Sequence, residues 1–104
     1  MKIPKAGKPV RGSTTGRPIM VALDLLGRRA ALRILWELRG EPLTFRALEQ
    51  AADTNPSLLN TRLKELREAG LIDHAGQGYC LTEAGVALRT ALRPLNDWAE
   101  TWFE

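Results

Sequence analysis

Apolar residues recur at helical spacing from Pro18 to about residue 70, switch to alternation near residue 71, and return to helical spacing up to the end. Ile19, Ala22, Leu23 and Leu26 fall three and four apart after Pro18, a residue suited to the first turn of a helix, and Gly27 stops the segment. A second helix is predicted over residues 28–39, with Ala31, Ile34, Leu35 and Leu38 inward and Gly40 as its stop. Leu32 and Trp36 add apolar surface on a neighbouring face, and a helix apolar on more than one side has to be covered by several neighbours.

Glu41-Pro42 breaks the chain, and Leu43 reads as a short edge strand. Thr44 is a suitable N-cap for a helix over residues 45–51 that buries Phe45, Leu48 and Ala52. Asp53-Thr54-Asn55-Pro56 is a turn running directly into a helix over residues 56–69. Asn55 supplies its capping oxygen, Pro56 its preset first-turn dihedral and Gly70 its end. Leu71-Ile72-Asp73-His74 and Tyr79-Cys80-Leu81 then alternate as two short strands around a turn at residues 75–78. Thr82 caps a last helix reaching about Phe103, in which Pro94 predicts a kink or a break between two helices. This order, a helix-turn-helix followed by a small hairpin and a closing helix, is a winged helix: mainly α with one β-hairpin.

A length of 104 residues allows one small domain and no multidomain enzyme. One cysteine and one histidine can build neither a disulfide framework nor a structural zinc site. No paired carboxylates, nucleophile–base set or glycine-rich phosphate loop stands at a usable spacing, so neither an enzyme nor a cofactor is expected. The longest apolar run, Ile19 to Leu23, is far short of a membrane span, and a cytoplasmic protein with no membrane partner is expected.

Charge is unevenly placed. Lys2, Lys5, Lys8, Arg11 and Arg17 all lie within residues 1–17, which contain no acid, so this segment carries +5, the remainder −2, and the two sum to the formal net charge of +3. The same segment is rich in Pro, Gly, Ser and Thr and reads as a flexible basic arm preceding a folded domain at 18–104. Lys5, Lys8 and Arg11 are suited to lying along phosphates or in a minor groove; the plainer reading is a solubilising terminus.

On a helical wheel of residues 56–69, Leu59, Leu63 and Leu66 face the core, with Leu58 beside them. The opposite side carries Ser57, Asn60, Thr61, Lys64 and Arg67, with Glu65 and Glu68 toward its edge. Short hydroxyls and an amide near a helix N-terminus reach base edges, while Lys64 and Arg67 reach phosphates. The second helix of a helix-turn-helix enters the major groove by its N-terminal residues, and Thr44 and Arg46, opening the first helix, stand where the DNA backbone passes.

These segments resemble the HxlR-type winged helix-turn-helix regulators of the MarR-like group. The resemblance is carried by Ala22-Leu23-Asp24-Leu25-Leu26-Gly27, Ile34-Leu35-Trp36-Glu37-Leu38 and Pro42-Leu43-Thr44-Phe45-Arg46-Ala47-Leu48. It continues in Asn55-Pro56-Ser57-Leu58-Leu59-Asn60-Thr61-Arg62-Leu63-Lys64-Glu65-Leu66, Ala69-Gly70-Leu71-Ile72, Tyr79-Cys80-Leu81-Thr82-Glu83-Ala84-Gly85 and Trp98. It implies a homodimeric, non-catalytic transcription factor whose N- and C-terminal helices pair between subunits and whose recognition helices read a palindromic operator on double-stranded DNA. Carried over by position, the recognition face is Ser57, Asn60, Thr61, Arg62 and Lys64, with Arg62 as a phosphate or intramolecular anchor. The chain departs from the pattern in three places. Arg17-Pro18 replaces a Cys-Pro that serves some members as a sensing thiol, Gly27-Arg28-Arg29-Ala30 replaces a glycine pair and tryptophan, and the hairpin is short and carries Asp73 and His74 in place of a longer, basic wing.

The last helix places Leu88, Leu92, Leu95, Trp98, Ala99 and Trp102 on one stripe, with Phe103 nearby. Such an aromatic concentration suits a subunit interface, for which Ile19, Leu23, Leu26, Leu92, Leu95, Trp98, Trp102 and Phe103 are the expected members; a core within one subunit is the alternative. Trp36, Trp98 and Trp102 read as packing more readily than as an effector pocket, and the residues leave any small-molecule effector unspecified. Cys80 reads as a small buried hydrophobe rather than a redox sensor, and His74 as an exposed polar residue. The slightly acidic body and short wing leave open an alternative function, a winged-helix protein-interaction module with little DNA binding.

Overall fold

Local capping chemistry divides the chain into its elements. The computed structural model describes residues 16–103 and places α1 at Pro18–Leu26, α2 at Ala31–Glu37, α3 at Phe45–Ala51 and α4 at Pro56–Glu68. The hairpin strands β1 (Ile72–Ala75) and β2 (Gly78–Leu81) follow, then the long helix α5 (Glu83–Trp102). Three helices begin on the side chains the sequence offers for the purpose. The Thr44 hydroxyl accepts from the Ala47 N–H at 3.2 Å, the Asn55 carboxamide from Leu58 at 2.9 Å, and the Thr82 hydroxyl from Gly85 at 3.2 Å.

The core forms where four helices meet the hairpin. Ile34 and Leu35 of α2, with Leu38 at its C-cap, pack with Leu48 of α3, Leu59, Leu63 and Leu66 of α4, Leu25 of α1 and Ile72 of β1. All three α4 leucines read as its inner face are buried, so the rotation of that helix about its axis is set. β1 and β2 pair antiparallel from Ile72–Leu81 to Ala75–Gly78, and Leu43 adds a single bridge to Tyr79. Gly78 is required at this bridge because a Cβ there would stand 2.5 Å from the Leu43 carbonyl oxygen. At the other end of the hairpin the Thr82 hydroxyl donates to the Gly70 carbonyl, so the α4–β1 turn and the start of α5 are tied together.

Three local expectations change, and the alternative left open at Pro94 is decided. The hairpin turn is two residues, Gly76-Gln77, rather than four; Gly76 supplies the positive φ of 55° that a tight turn needs, and Ala75 pairs with Gly78. Leu71 precedes the ladder instead of opening it, because its N–H donates to Leu66 and its carbonyl accepts from Thr82. α5 runs through Pro94 as one helix, with no break between two.

α2 starts at Ala31, three residues later than expected, because the chain reverses through Ala30 in the left-handed region at φ 71°. A β-carbon is unfavourable there, since it crowds the following carbonyl. Ala30→Gly is therefore expected to raise stability by about 1 kcal/mol, a few degrees in Tm, as read by thermal unfolding. An unchanged or lower Tm would mean that the Ala30 methyl contributes more by packing than it costs in strain.

Candidate nucleic-acid interface

α4 presents its polar side outward because its leucines are held inside. Ser57, Asn60, Thr61, Lys64 and Arg67 are all exposed, in line with the wheel drawn from the sequence. Pro56 occupies the first helical turn and Asn55 caps it, so the end carrying Ser57, Asn60 and Thr61 is well anchored. The Thr61 hydroxyl donates back to the Ser57 carbonyl at 3.1 Å, which leaves the oxygen able to accept. Thr44 and Arg46 are exposed at the start of α3, although the Thr44 oxygen is engaged in its cap. Lys5, Lys8 and Arg11 lie outside the described residues.

Arg62 and Glu65 stand apart from the rest of the α4 polar set. The Arg62 Nε donates to the Arg29 carbonyl at 2.8 Å, and its NH1 donates to Glu65 Oε1 at 3.0 Å. Arg62 thus serves as an intramolecular anchor, and its fork is turned away from the exposed face. Glu65, read from the sequence as an edge residue of the polar face, is instead buried, with its second oxygen 3.1 Å from Arg28 NH1. Arg28 also reaches Asp24 of α1 at 3.1 Å. The i,i+3 spacing of Arg62 and Glu65 was legible as a pair, but their partners lie more than thirty residues away in sequence and carried no local signal.

The hairpin carries one aromatic stack, His74 against Tyr79, with ring centroids 4.4 Å apart. Cys80 is half-buried opposite Asp73.

Two apolar surfaces remain uncovered. Ile19 and Leu23 on α1 are 60% and 56% exposed, and the outer half of α5 exposes Leu95, Trp98 (51%), Trp102 (70%) and Phe103. Trp98 and Phe103 meet edge to face at 5.3 Å, so the outer end of α5 is self-packed but open to water. Leu26 and Leu92 are half-buried against their own subunit. The inner half of α5 rests on α2 along a groove lined by Leu35, Trp36, Gly85, Leu88, Arg89 and Leu92, with Arg89 donating to the Arg39 carbonyl at 2.8 Å. Trp36 is thus a packing residue of this seam, which neither Trp98 nor Trp102 lines. Among the described residues no helix is long and apolar enough to cross a membrane.

The fold is shared with known proteins. The family model of HxlR-like helix-turn-helix proteins matches residues 25–104. The chain belongs to that family. Among solved structures, quinone-bound YodB from B. subtilis is similar at 30% identity and a TM-score of 0.72, over 82% of this chain and 98% of that one. The reduced form of the transcriptional regulator YodB gives 28% identity and 0.71, over 84% and 94%. A possible HxlR family transcriptional factor from Thermoplasma volcanium gives 26% and 0.71, over 81% and 83%. No curated protein sequence matches the chain. This HxlR-like protein is a transcription regulator with a winged helix-turn-helix fold, mostly helical with a two-stranded hairpin.

Proposed function

We propose that this HxlR-like regulator acts in the cytoplasm as a homodimer that binds a palindromic operator in duplex DNA, each subunit laying α4 in the major groove. The observation that carries this reading is the division of α4: three buried leucines fix its rotation, and Ser57, Asn60, Thr61, Lys64 and Arg67 are left outward at its exposed face. Side chains of these types match base edges and phosphates, and no other use within the subunit engages the Asn60, Lys64 or Arg67 side chains among the contacts described. The exposed apolar residues of α1 and of the outer half of α5 support pairing with a second copy, because six large hydrophobic side chains left in water favour association. Thr44 and Arg46 supply contacts to the flanking backbone, and Lys5, Lys8 and Arg11 add an electrostatic contribution where the short, uncharged wing tip offers little. Arg62 holds α4 in place rather than touching DNA.

A mobility shift on random duplex at increasing salt tests the reading. Each phosphate neutralised contributes a slope of about −0.9 to log K against log salt. The full chain is expected to show a steep slope, and a chain lacking residues 1–15 a shallower one by about two contacts. Binding that is absent at low salt, or indifferent to salt, would favour a protein-interaction module instead. Equal slopes for the two chains would remove the arm from the interface.

A further inference from the structure

The buried ion cluster behind α4 joins the two parts of the molecule that operator recognition has to coordinate. Its members come from three places: Asp24 on α1, Arg28 and the Arg29 carbonyl in the α1–α2 connection, and Arg62 and Glu65 on α4. Glu65 bridges two guanidinium groups, one oxygen at 3.0 Å from Arg62 and the other at 3.1 Å from Arg28, and Arg28 continues to Asp24 at 3.1 Å. Side-chain exposures run from 5% for Glu65 to 11% for Arg62, so water screens these charges little. Among the described contacts two cations face two anions, and the removal of either carboxylate takes a partner from a buried guanidinium.

Such a cluster is a poor source of stability, because desolvating four charges offsets most of their attraction. It is a source of geometry: the Arg28–Asp24, Arg62–Glu65 and Arg62–Arg29 hydrogen bonds are directional, and the Arg28–Glu65 ion pair at 3.1 Å joins them through short-range charge. Leucine packing alone tolerates small slides of one helix over another; a guanidinium held between two carboxylates does not. Asp24 sits directly between Leu23, which faces outward, and Leu25, which is buried, so the α1 end of the chain of contacts lies at the foot of an uncovered apolar surface.

We infer that the Asp24–Arg28–Glu65–Arg62 cluster is a positioning device that fixes α4 relative to α1, and thereby sets the spacing of operator half-sites the dimer accepts. The inference rests on the dimeric, DNA-reading function proposed above. In a two-fold dimer built on α1, the separation and tilt of the two recognition helices follow from the α1-to-α4 relation within each subunit. One extra base pair between half-sites displaces the second by roughly 3.4 Å and rotates it by roughly 35°. A rigid link refuses that displacement, and a loosened one accommodates it.

The test compares wild type, Glu65→Gln and Asp24→Asn on three duplexes: the operator selected by the wild type, the same operator with one base pair inserted at its centre, and a single half-site. Asp24→Asn cuts only the α1 end and leaves Arg62–Glu65 intact, so it separates coupling from local support of α4. It also serves if Glu65→Gln folds poorly. Both variants are expected to lower the discrimination against the inserted duplex by about tenfold, and Asp24→Asn to do so with half-site affinity, dimerisation and circular dichroism retained. Unchanged spacing preference in folded Asp24→Asn overturns the inference, whatever Glu65→Gln does, because the cluster then supports α4 alone. A wild-type chain that selects no operator overturns the function on which the inference stands. A wild type that binds single half-sites without any spacing preference leaves DNA reading intact and overturns the positioning role.

Discussion

Replacing Leu95 and Trp98 together by Asp is expected to yield a folded monomer and to weaken binding to a palindromic duplex by at least about hundredfold. Both side chains are more than half exposed in the single subunit, so the subunit core loses little by their removal and its circular dichroism should be unchanged. In a dimer they would be covered. Burying a large apolar side chain is worth about 1.5–3 kcal/mol, and two carboxylates per subunit in the same place add an unpaired desolvation cost on each side of the two-fold axis. The effect on DNA binding is larger than any single contact because a dimer makes its second half-site contact intramolecularly. Losing that linkage removes a factor of about 10²–10⁴ without touching the recognition helix. Sedimentation velocity and a binding titration read the two consequences separately. A variant that stays dimeric would place the interface elsewhere and leave the outer half of α5 for another partner.

The second large effect concerns α4 itself. Asn60→Ala, Thr61→Ala and Lys64→Ala in combination should abolish operator preference, lowering the ratio of operator to random-duplex affinity by about hundredfold or more. A well-placed amide or hydroxyl contact to a base contributes about 1–3 kcal/mol of discrimination, and Lys64 adds a phosphate contact that fixes register. The fold should not suffer: all three positions are exposed, and alanine is the best helix former. The one hydrogen bond lost within the subunit, from Thr61 to the Ser57 carbonyl, only competes with the helix ladder. Residual binding to random duplex should persist through the remaining basic residues. Preference for the operator retained by a folded, dimeric triple variant would show that another surface reads the sequence.

Much of the fold was legible because local and global preferences agree. Leu59, Leu63 and Leu66 announce both a helix and its inner face, and Thr44, Asn55 and Thr82 announce where three helices begin; each does in the structure what its side chain is built to do. The exposed side of α4 followed from the same periodicity. What escaped the sequence depends on contacts between distant segments. Glu65 looked like one more solvated carboxylate until Arg28, thirty-seven residues earlier, was found against it. Arg62 carries a charge suited to phosphate, yet the Arg29 carbonyl and Glu65 engage it within the subunit. The late start of α2 depends on a left-handed alanine, a conformation no propensity favours at that residue. The two-residue hairpin turn was obscured because Gly78 is a strand residue, present to let the Leu43 backbone approach.

Whether the outward face of α4 reads duplex DNA in a two-fold assembly is decided by selecting binding sites for the full chain from a pool of random duplexes. An inverted repeat is expected to be enriched, with half-sites about one helical turn, or a whole multiple of one, apart. A pool that gains no shared sequence after repeated rounds, or one that converges on a single asymmetric site, would contradict that reading.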